Sequence, residues 1–298
     1  MGVALRRLSF RILYALLLAV FASFAVPVQQ SAWAGGKFAA VAVDARTGKI
    51  IFESDSNGLR HPASLTKMMT LYLLFEDLKS GRIKMSTPLR VSARAASMAP
   101  SKLGLRPGST ITVQQAIYAL VIKSANDAAA TVAENLGGSE SAFSARMTRK
   151  ARALGMSRTT YVNASGLPNP RQITSARDQA TLGLRLMRDF PQYYPYFRAT
   201  QFVFNGRVVR THNMLVKRFP GTDGIKTGYV NASGYNLVTS TRRGDKRLVG
   251  VVLGGKSVPQ PRQFMAAMLS RSFAKPRTAT PLQRFAVPAL VLLIRSRT

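Results

Sequence analysis

Pro62-Ala63-Ser64-Leu65-Thr66-Lys67-Met68-Met69-Thr70-Leu71-Tyr72-Leu73-Leu74-Phe75 is the stretch on which the reading of this chain turns. From Ala63 to Lys79 apolar side chains dominate, at Leu65, Met68, Met69, Leu71, Tyr72, Leu73 and Phe75. That pattern predicts a long helix, and Gly81 stops it. Ser64 then falls in the first turn. Lys67, three residues on, shares its face. A helix N-terminus offers backbone N–H groups without intrahelical partners and a positive potential. A hydroxyl placed there, with an amine beside it, has the ingredients of an activated nucleophile. Read alone, the same serine serves equally well as a helix cap.

Outward from this helix the pattern is strands, many helices, strands, helix. Lys37 to Val43 and Lys49 to Glu53 are β-rich runs joined by the turn Asp44-Ala-Arg-Thr-Gly48, which predicts an opening hairpin. Helical periodicity covers Val113 to Ser124, Asn126 to Leu136, Ser139 to Leu154 and Thr174 to Asp189, with Gly137, Gly155 and Pro191 beyond the ends of the last three. Gly234 to Thr241 and Arg247 to Leu253 read as strands about the turn Arg242-Arg-Gly-Asp245, and Pro261 to Ala274 as a closing helix. This order suits an antiparallel sheet with helices segregated around it, not repeating βαβ units.

Two further short motifs lie on these elements. Ser124-Ala125-Asn126 sits between two predicted helices, where a turn can point polar groups into a cleft or cap the second helix. Lys226-Thr227-Gly228 reads as a strand edge, which by itself is an ordinary surface strand. Three such motifs in this order, on a helix start, an interhelical turn and a strand edge, are hard to obtain by accident.

Composition narrows the chemistry. The 298 residues contain no cysteine, which excludes thiol catalysis, disulfides and thiolate metal sites. Only two histidines, His61 and His212, are present, and both read as structural. Lys and Arg number 43 against 12 Asp and Glu, for a net charge of +31. That excess favours anionic partners such as nucleic acid, a membrane or a cell wall. The basic residues are spread along the chain and accompany no nucleic-acid-binding signature, so they read as a solvated basic surface. Residues 1–34 resemble an export signal: Arg6, Arg7 and Arg11, an apolar run from Ile12 to Val26, then small residues at Ala32 and Ala34. The mature chain is expected to begin at Gly35, and export removes most of the case for nucleic acid. Residues 275–298 read as a short tail, with an apolar stretch too brief to span a bilayer.

The motifs resemble those of the low-molecular-weight penicillin-binding D-Ala-D-Ala carboxypeptidases, peptidase family S11. The likeness extends to Asn163-Ala-Ser-Gly-Leu-Pro168, Thr222-Asp-Gly-Ile-Lys-Thr-Gly228 and Gly234-Tyr-Asn-Leu237, and covers roughly Gly35 to Ala274 as one catalytic domain. It implies an α+β fold of the β-lactamase and transpeptidase type, an antiparallel sheet flanked by helices with a mainly helical subdomain. It implies that Ser64 is acylated, that Lys67 is the base, that Ser124 relays a proton and that Asn126 positions substrate and Lys67. A lysine serves as base only with a lowered pKa, and Lys226 is the natural second cation. Thr227 and, on the strand after the Lys-Thr-Gly strand, Arg247 would hold the substrate carboxylate, since a guanidinium donates two parallel bonds. Gly228 completes the strand motif, and the backbone N–H groups of Ser64 and Tyr229 would form the oxyanion hole. Substrate would be the peptidoglycan stem peptide, β-lactams would be inhibitors, and no metal or cofactor is required.

Three other readings share these residues. Class A β-lactamases resemble this pattern but carry Ser-Asp-Asn and a deacylating glutamate. Here the middle residue is Ala125, and Asn163 to Pro170 contains no acidic side chain. A DD-endopeptidase has the same motifs. A basic wall-binding protein without catalysis is the non-enzymatic alternative.

Overall fold

The computed structural model describes residues 38–274. The predicted export signal and the C-terminal tail lie outside the described residues. The opening hairpin forms as β1 (Ala39–Asp44) and β2 (Ile50–Ser54). Its turn is held by the Asp44 carboxylate, which accepts from the amides of Arg46 and Thr47, both at 2.9 Å. A single 3-10 turn, Ala63–Leu65, then leads into α1 (Thr66–Lys79). Twelve of the fourteen residues of α1 are buried, so it is the central helix and has no polar stripe to turn outward. Leu71, Leu73, Leu74 and Phe75 are fully buried there, each contributing roughly 1.5–3 kcal/mol by the usual transfer scale.

The helical region follows: β3 (Pro88–Arg90), α2 (Ala93–Ser97), β4 (Thr110–Thr112), α3 (Val113–Tyr118), α4 (Asn126–Gly137), α5 (Glu140–Ala153) and α6 (Ala176–Asp189). The expectation of one helix from Val113 to Ser124 is corrected in its last turn. After Tyr118 the backbone widens into a π turn, Ala119–Lys123, and ends with Ser124 in the left-handed region at φ 58°. The mainly helical middle also contains two short hairpins that the periodicity did not predict. β3 pairs with β4, and β5 (Gln201–Phe204) pairs with β6 (Arg207–Arg210). Three- and four-residue strands are too short for alternation to register. The Asn205-Gly206 turn, with φ 47° and 74°, is the local signal that marks the second hairpin.

After α7 (Met214–Arg218) the chain returns to the sheet through β7 (Thr222–Val230), β8 (Gly234–Arg243) and β9 (Lys246–Gly255), and closes with α8 (Pro259–Ala274). The five-stranded sheet is antiparallel in the order β2-β1-β9-β8-β7, so β7 is an edge. Alternation along β1 sorts its side chains between two layers. Ala39, Val41 and Val43 join the large core with α1 and the other helices, while Ala40 and Ala42 face Met265, Met268 and Leu269 of α8. Among the described residues no helix is long and apolar enough to cross a membrane, and no group of three His, Asp or Glu side chains could hold a metal ion.

Candidate active site

A cleft of about 970 Å³ opens between the β7 edge and the helical region, and Ser64, Ser124, Asn126, Thr227, Gly228 and Tyr229 all line it. Ser64 reaches it because the 3-10 turn ahead of α1 presents its hydroxyl sideways. Neither that turn nor α1 has a side-chain cap, and the partner of the Ser64 hydroxyl is Lys67, whose Nζ lies 3.2 Å from Oγ. The capping reading of this serine therefore fails here.

Lys67 is fully buried. Its Nζ also donates to Asn126 Oδ1 at 2.7 Å and to the Ser165 carbonyl at 2.5 Å. Those two acceptors occupy both N–H bonds of a neutral amine and leave its lone pair directed at the Ser64 hydroxyl. Burial pulls the Lys67 pKa well below the ordinary lysine range, and the nearby charge of Lys226 lowers it further. Asp127 opposes both. Asn126 can hold its oxygen toward Lys67 because its Nδ2 donates to the Ala99 carbonyl at 2.8 Å.

Lys226 is buried too, and desolvation pushes its pKa down to about 7. Its Nζ donates to Ser124 Oγ and to the Thr227 carbonyl, both at 2.9 Å. The left-handed turn at Ser124 is what lets its hydroxyl meet a strand residue 102 positions away. On β7, Gly228 permits close approach to the nucleophile's backbone: an added Cβ would come within 2.8 Å of the Ser64 nitrogen. Tyr229 is half-exposed at the rim, its ring tilted against that of Tyr235 with centroids 4.4 Å apart.

The third wall is the loop that supplies the Ser165 carbonyl. Asn163 Oδ1 accepts from the Gly166 amide at 2.7 Å, and Gln172 Oε1 accepts from the amides of Val162 and Asn163. Gly166 has φ +88°, and a Cβ there would lie 1.9 Å from the Ala63 carbonyl oxygen. Gly166→Ala is therefore expected to destabilise the fold by about 2 kcal/mol or more, from left-handed strain with a backbone clash added. Thermal and denaturant unfolding measure the loss, and a variant with wild-type stability would refute the close packing described.

Arg247 is not in the cleft. It pairs with Arg242 across the β8–β9 ladder at the hairpin end of the sheet, whereas Lys226 and Thr227 lie level with Val251 and Val252 of β9 through Val238 and Leu237. Four residues of strand, about 13 Å, separate Arg247 from that level. Its guanidinium instead meets Asp223 at 2.8 Å and Ser240 Oγ at 2.9 Å. The arginine that does line the cleft is Arg262, in the first turns of α8. No motif marks it in the sequence; only the folding of α8 back over β8 and β9 brings it there.

Both histidines also line the cleft. His61 is fixed, with Nδ1 2.9 Å from the Gln172 carbonyl, so that nitrogen carries the proton in the neutral ring. His212 sits at the rim, its pKa lowered by partial burial and by Lys123 and Lys226. Asp127 also supports the site, and no motif marks it in the sequence. Its carboxylate accepts from the amides of Leu103, Gly104 and Leu105 at 2.9–3.1 Å and so anchors the segment after Ser101.

The sequence signature of the D-alanyl-D-alanine carboxypeptidase family, peptidase S11, matches residues 28–257. The D-alanyl-D-alanine carboxypeptidase DacF of Bacillus subtilis is 35% identical over 244 residues, which are 80% of this chain and 62% of that protein. The chain thus spans less than two thirds of the length of that relative. Among solved structures, the D-alanyl-D-alanine carboxypeptidase DacD from Francisella tularensis superposes with a TM-score of 0.78 at 29% identity, over 80% of this chain and 70% of that one. Penicillin-binding protein D2 of Listeria monocytogenes, solved in an ampicillin-bound form, does so with a TM-score of 0.70 at 25% identity, over 81% and 99%.

Proposed function

The chain belongs to the D-alanyl-D-alanine carboxypeptidase family of serine peptidases, and on that premise we propose that it removes the terminal D-alanine from peptidoglycan pentapeptides through an acyl-enzyme on Ser64. The observation that carries this is the Lys67 amine. It is buried, its pKa is drawn well below the ordinary lysine range, and two fixed acceptors hold its Nζ 3.2 Å from the Ser64 hydroxyl.

Lys67 takes the Ser64 proton as Oγ attacks the D-Ala-D-Ala carbonyl. The developing oxyanion is held by the backbone N–H groups of Ser64 and Tyr229. As the peptide C–N bond breaks, the proton passes to the leaving amine through Ser124, which Lys226 polarises. Water then hydrolyses the ester, and the Lys67 amine accepts the water's proton as it did that of Ser64. Thr227 and Arg262 bind the substrate's terminal carboxylate, a role that Arg247 is too remote to fill. A β-lactam presents a similar strained acyl group and acylates Ser64. The penicillin-binding D2 protein, solved with ampicillin, shares the fold.

Among the described residues no Asp or Glu lines the cleft. With Ala125 in the second motif, this favours a stable acyl-enzyme with β-lactams over the rapid turnover of a β-lactamase. The N-terminal pattern of residues 1–34 supports export, and the positive charge supports association with an anionic membrane or wall.

Mass spectrometry of a synthetic pentapeptide tests the reading. One D-alanine should be released per peptide, and preincubation with penicillin should abolish release. Faster cleavage of a crosslinked dimer would make the enzyme an endopeptidase. Rapid penicillin hydrolysis would make it a β-lactamase. Neither reaction nor penicillin labelling would leave the wall-binding reading.

The acylation rate should follow a bell in pH. It rises as Lys67 loses its proton, well below the ordinary lysine pKa of 10.5. It falls as Lys226, pushed down to about 7, loses its own. Stopped-flow acylation by a chromogenic β-lactam across pH measures both limbs. A single rise near 10.5 would exclude Lys67 as the base.

A further inference from the structure

A second pocket, of about 580 Å³, lies at the hairpin end of β7–β9, away from the cleft. Arg198, Arg242 and Arg247 line it against a single carboxylate, Asp223. Arg247 Nη1 and Arg198 Nη2 approach the same oxygen of Asp223, at 2.8 and 3.4 Å, while Tyr194 donates to its other oxygen at 3.3 Å. One carboxylate therefore neutralises only part of two guanidiniums. The third, Arg242, donates through Nε to the Gly244 carbonyl at 2.9 Å, and among the described residues its terminal nitrogens meet no acceptor. The wall beneath is built backbone. Gly221, at φ +83°, has no room for a Cβ against the Arg242 carbonyl, and the Arg242 amide donates to the Gly221 carbonyl at 2.9 Å.

We infer that this pocket binds a phosphate-type oxyanion, a phosphomonoester or phosphodiester group. Three planar forks around one open volume match an anion with three or more oxygens better than a carboxylate, which has two and is already supplied by Asp223. Arg247 and Asp223 form the rigid half of the site: Asp223 is nearly buried and Arg247 largely so. Arg198, whose side chain is 61% exposed, and Arg242 form the adjustable half. The excess of two positive charges lining the pocket attracts an anion whether or not the cleft is occupied, so the inference is independent of the reaction proposed above.

Isothermal titration of the full chain with pyrophosphate at low salt tests it. Three proteins are compared: wild type, Arg198→Gln/Arg242→Gln, and the charge-matched control Arg106→Gln/Arg149→Gln, whose arginines are exposed elsewhere. Wild type and control should bind saturably at one site, and the pocket variant at least about tenfold more weakly. All three should give the same circular dichroism spectrum and a cooperative thermal melt, which shows that the variants are folded. Should the double variant not fold, Arg198→Gln alone gives the same comparison. Absence of saturable binding in wild type, equal weakening in the control, or equal binding of acetate would overturn the inference. Sedimentation with phosphatidylglycerol and phosphatidylcholine vesicles separates the sources. Loss of phosphatidylglycerol binding in the pocket variant identifies a lipid headgroup. Unchanged vesicle binding alongside lost pyrophosphate binding identifies a soluble phosphate ester. Both support the oxyanion site.

Discussion

Ser64→Ala is expected to remain folded and to lose D-alanine release and covalent penicillin labelling together, by at least about 10⁴-fold in rate. The size of the loss follows from the place of the bond: without Oγ there is no acyl-enzyme, and what survives is substrate binding next to polarising N–H groups. The small stability cost follows from what the hydroxyl does in the resting protein. It caps neither the 3-10 turn nor α1, and its contact is with an amine that has two other acceptors. Losing one such hydroxyl should change stability by no more than about 1 kcal/mol. Gel fluorescence after penicillin treatment, beside a thermal melt, decides the matter. Persistent labelling would move the nucleophile elsewhere, with Ser124 the first candidate.

Lys67→Met should cost about 10³-fold or more in acylation while leaving Ser64 and the cleft in place. Methionine has nearly the length of lysine and suits the apolar packing of α1, but it cannot accept a proton. A role confined to structure would also be disturbed by this change, so the decisive readout is stability against pH. In the wild-type protein the folded state holds Lys67 with a depressed pKa, whereas the unfolded chain binds its proton up to about 10.5. Between those two values the unfolded state carries more protons, so stability rises with pH over that window. Below the folded value the cost of a buried charge is present in full. Lys67→Met should flatten the rise and leave the part due to Lys226, whose folded pKa is about 7. Denaturant midpoints measured from neutral to alkaline pH show the difference. Parallel curves for both proteins would mean that Lys67 is charged when folded and cannot be the resting base.

Much of this site is legible in the chain because its first half is local. Ser64 and Lys67 are three residues apart on one helical turn, so backbone geometry brings them together whatever the rest of the protein does. The hairpin of β8 and β9 is likewise local, set by alternation and the Gly244 turn. Residues whose position depends on register are harder. Arg247 sits on a strand correctly read as a strand, yet five residues from the level of Thr227, because the ladder pairs it with Arg242. Arg262 carries no pattern at all and enters the cleft by the docking of α8. Asp127 looks like an ordinary first-turn carboxylate, but its oxygens meet three amides more than twenty residues earlier in the chain.

The sequence by itself determined the α+β class, the helix that presents Ser64 with Lys67, and the three motifs around which a cleft had to close. Periodicity of 2 and 3.6 and the i, i+3 relation are properties of the backbone and need no distant partner. Only the tertiary structure decided that Lys226 reaches Ser124, that Asn126 and the Ser165 carbonyl hold the Lys67 amine beside Ser64, and that Arg262 rather than Arg247 faces the cleft. Those contacts depend on sheet register, on a π turn and on a left-handed residue. Each is settled by packing between segments far apart in the chain, and burial in that packing is also what lowers the pKa values of the two lysines.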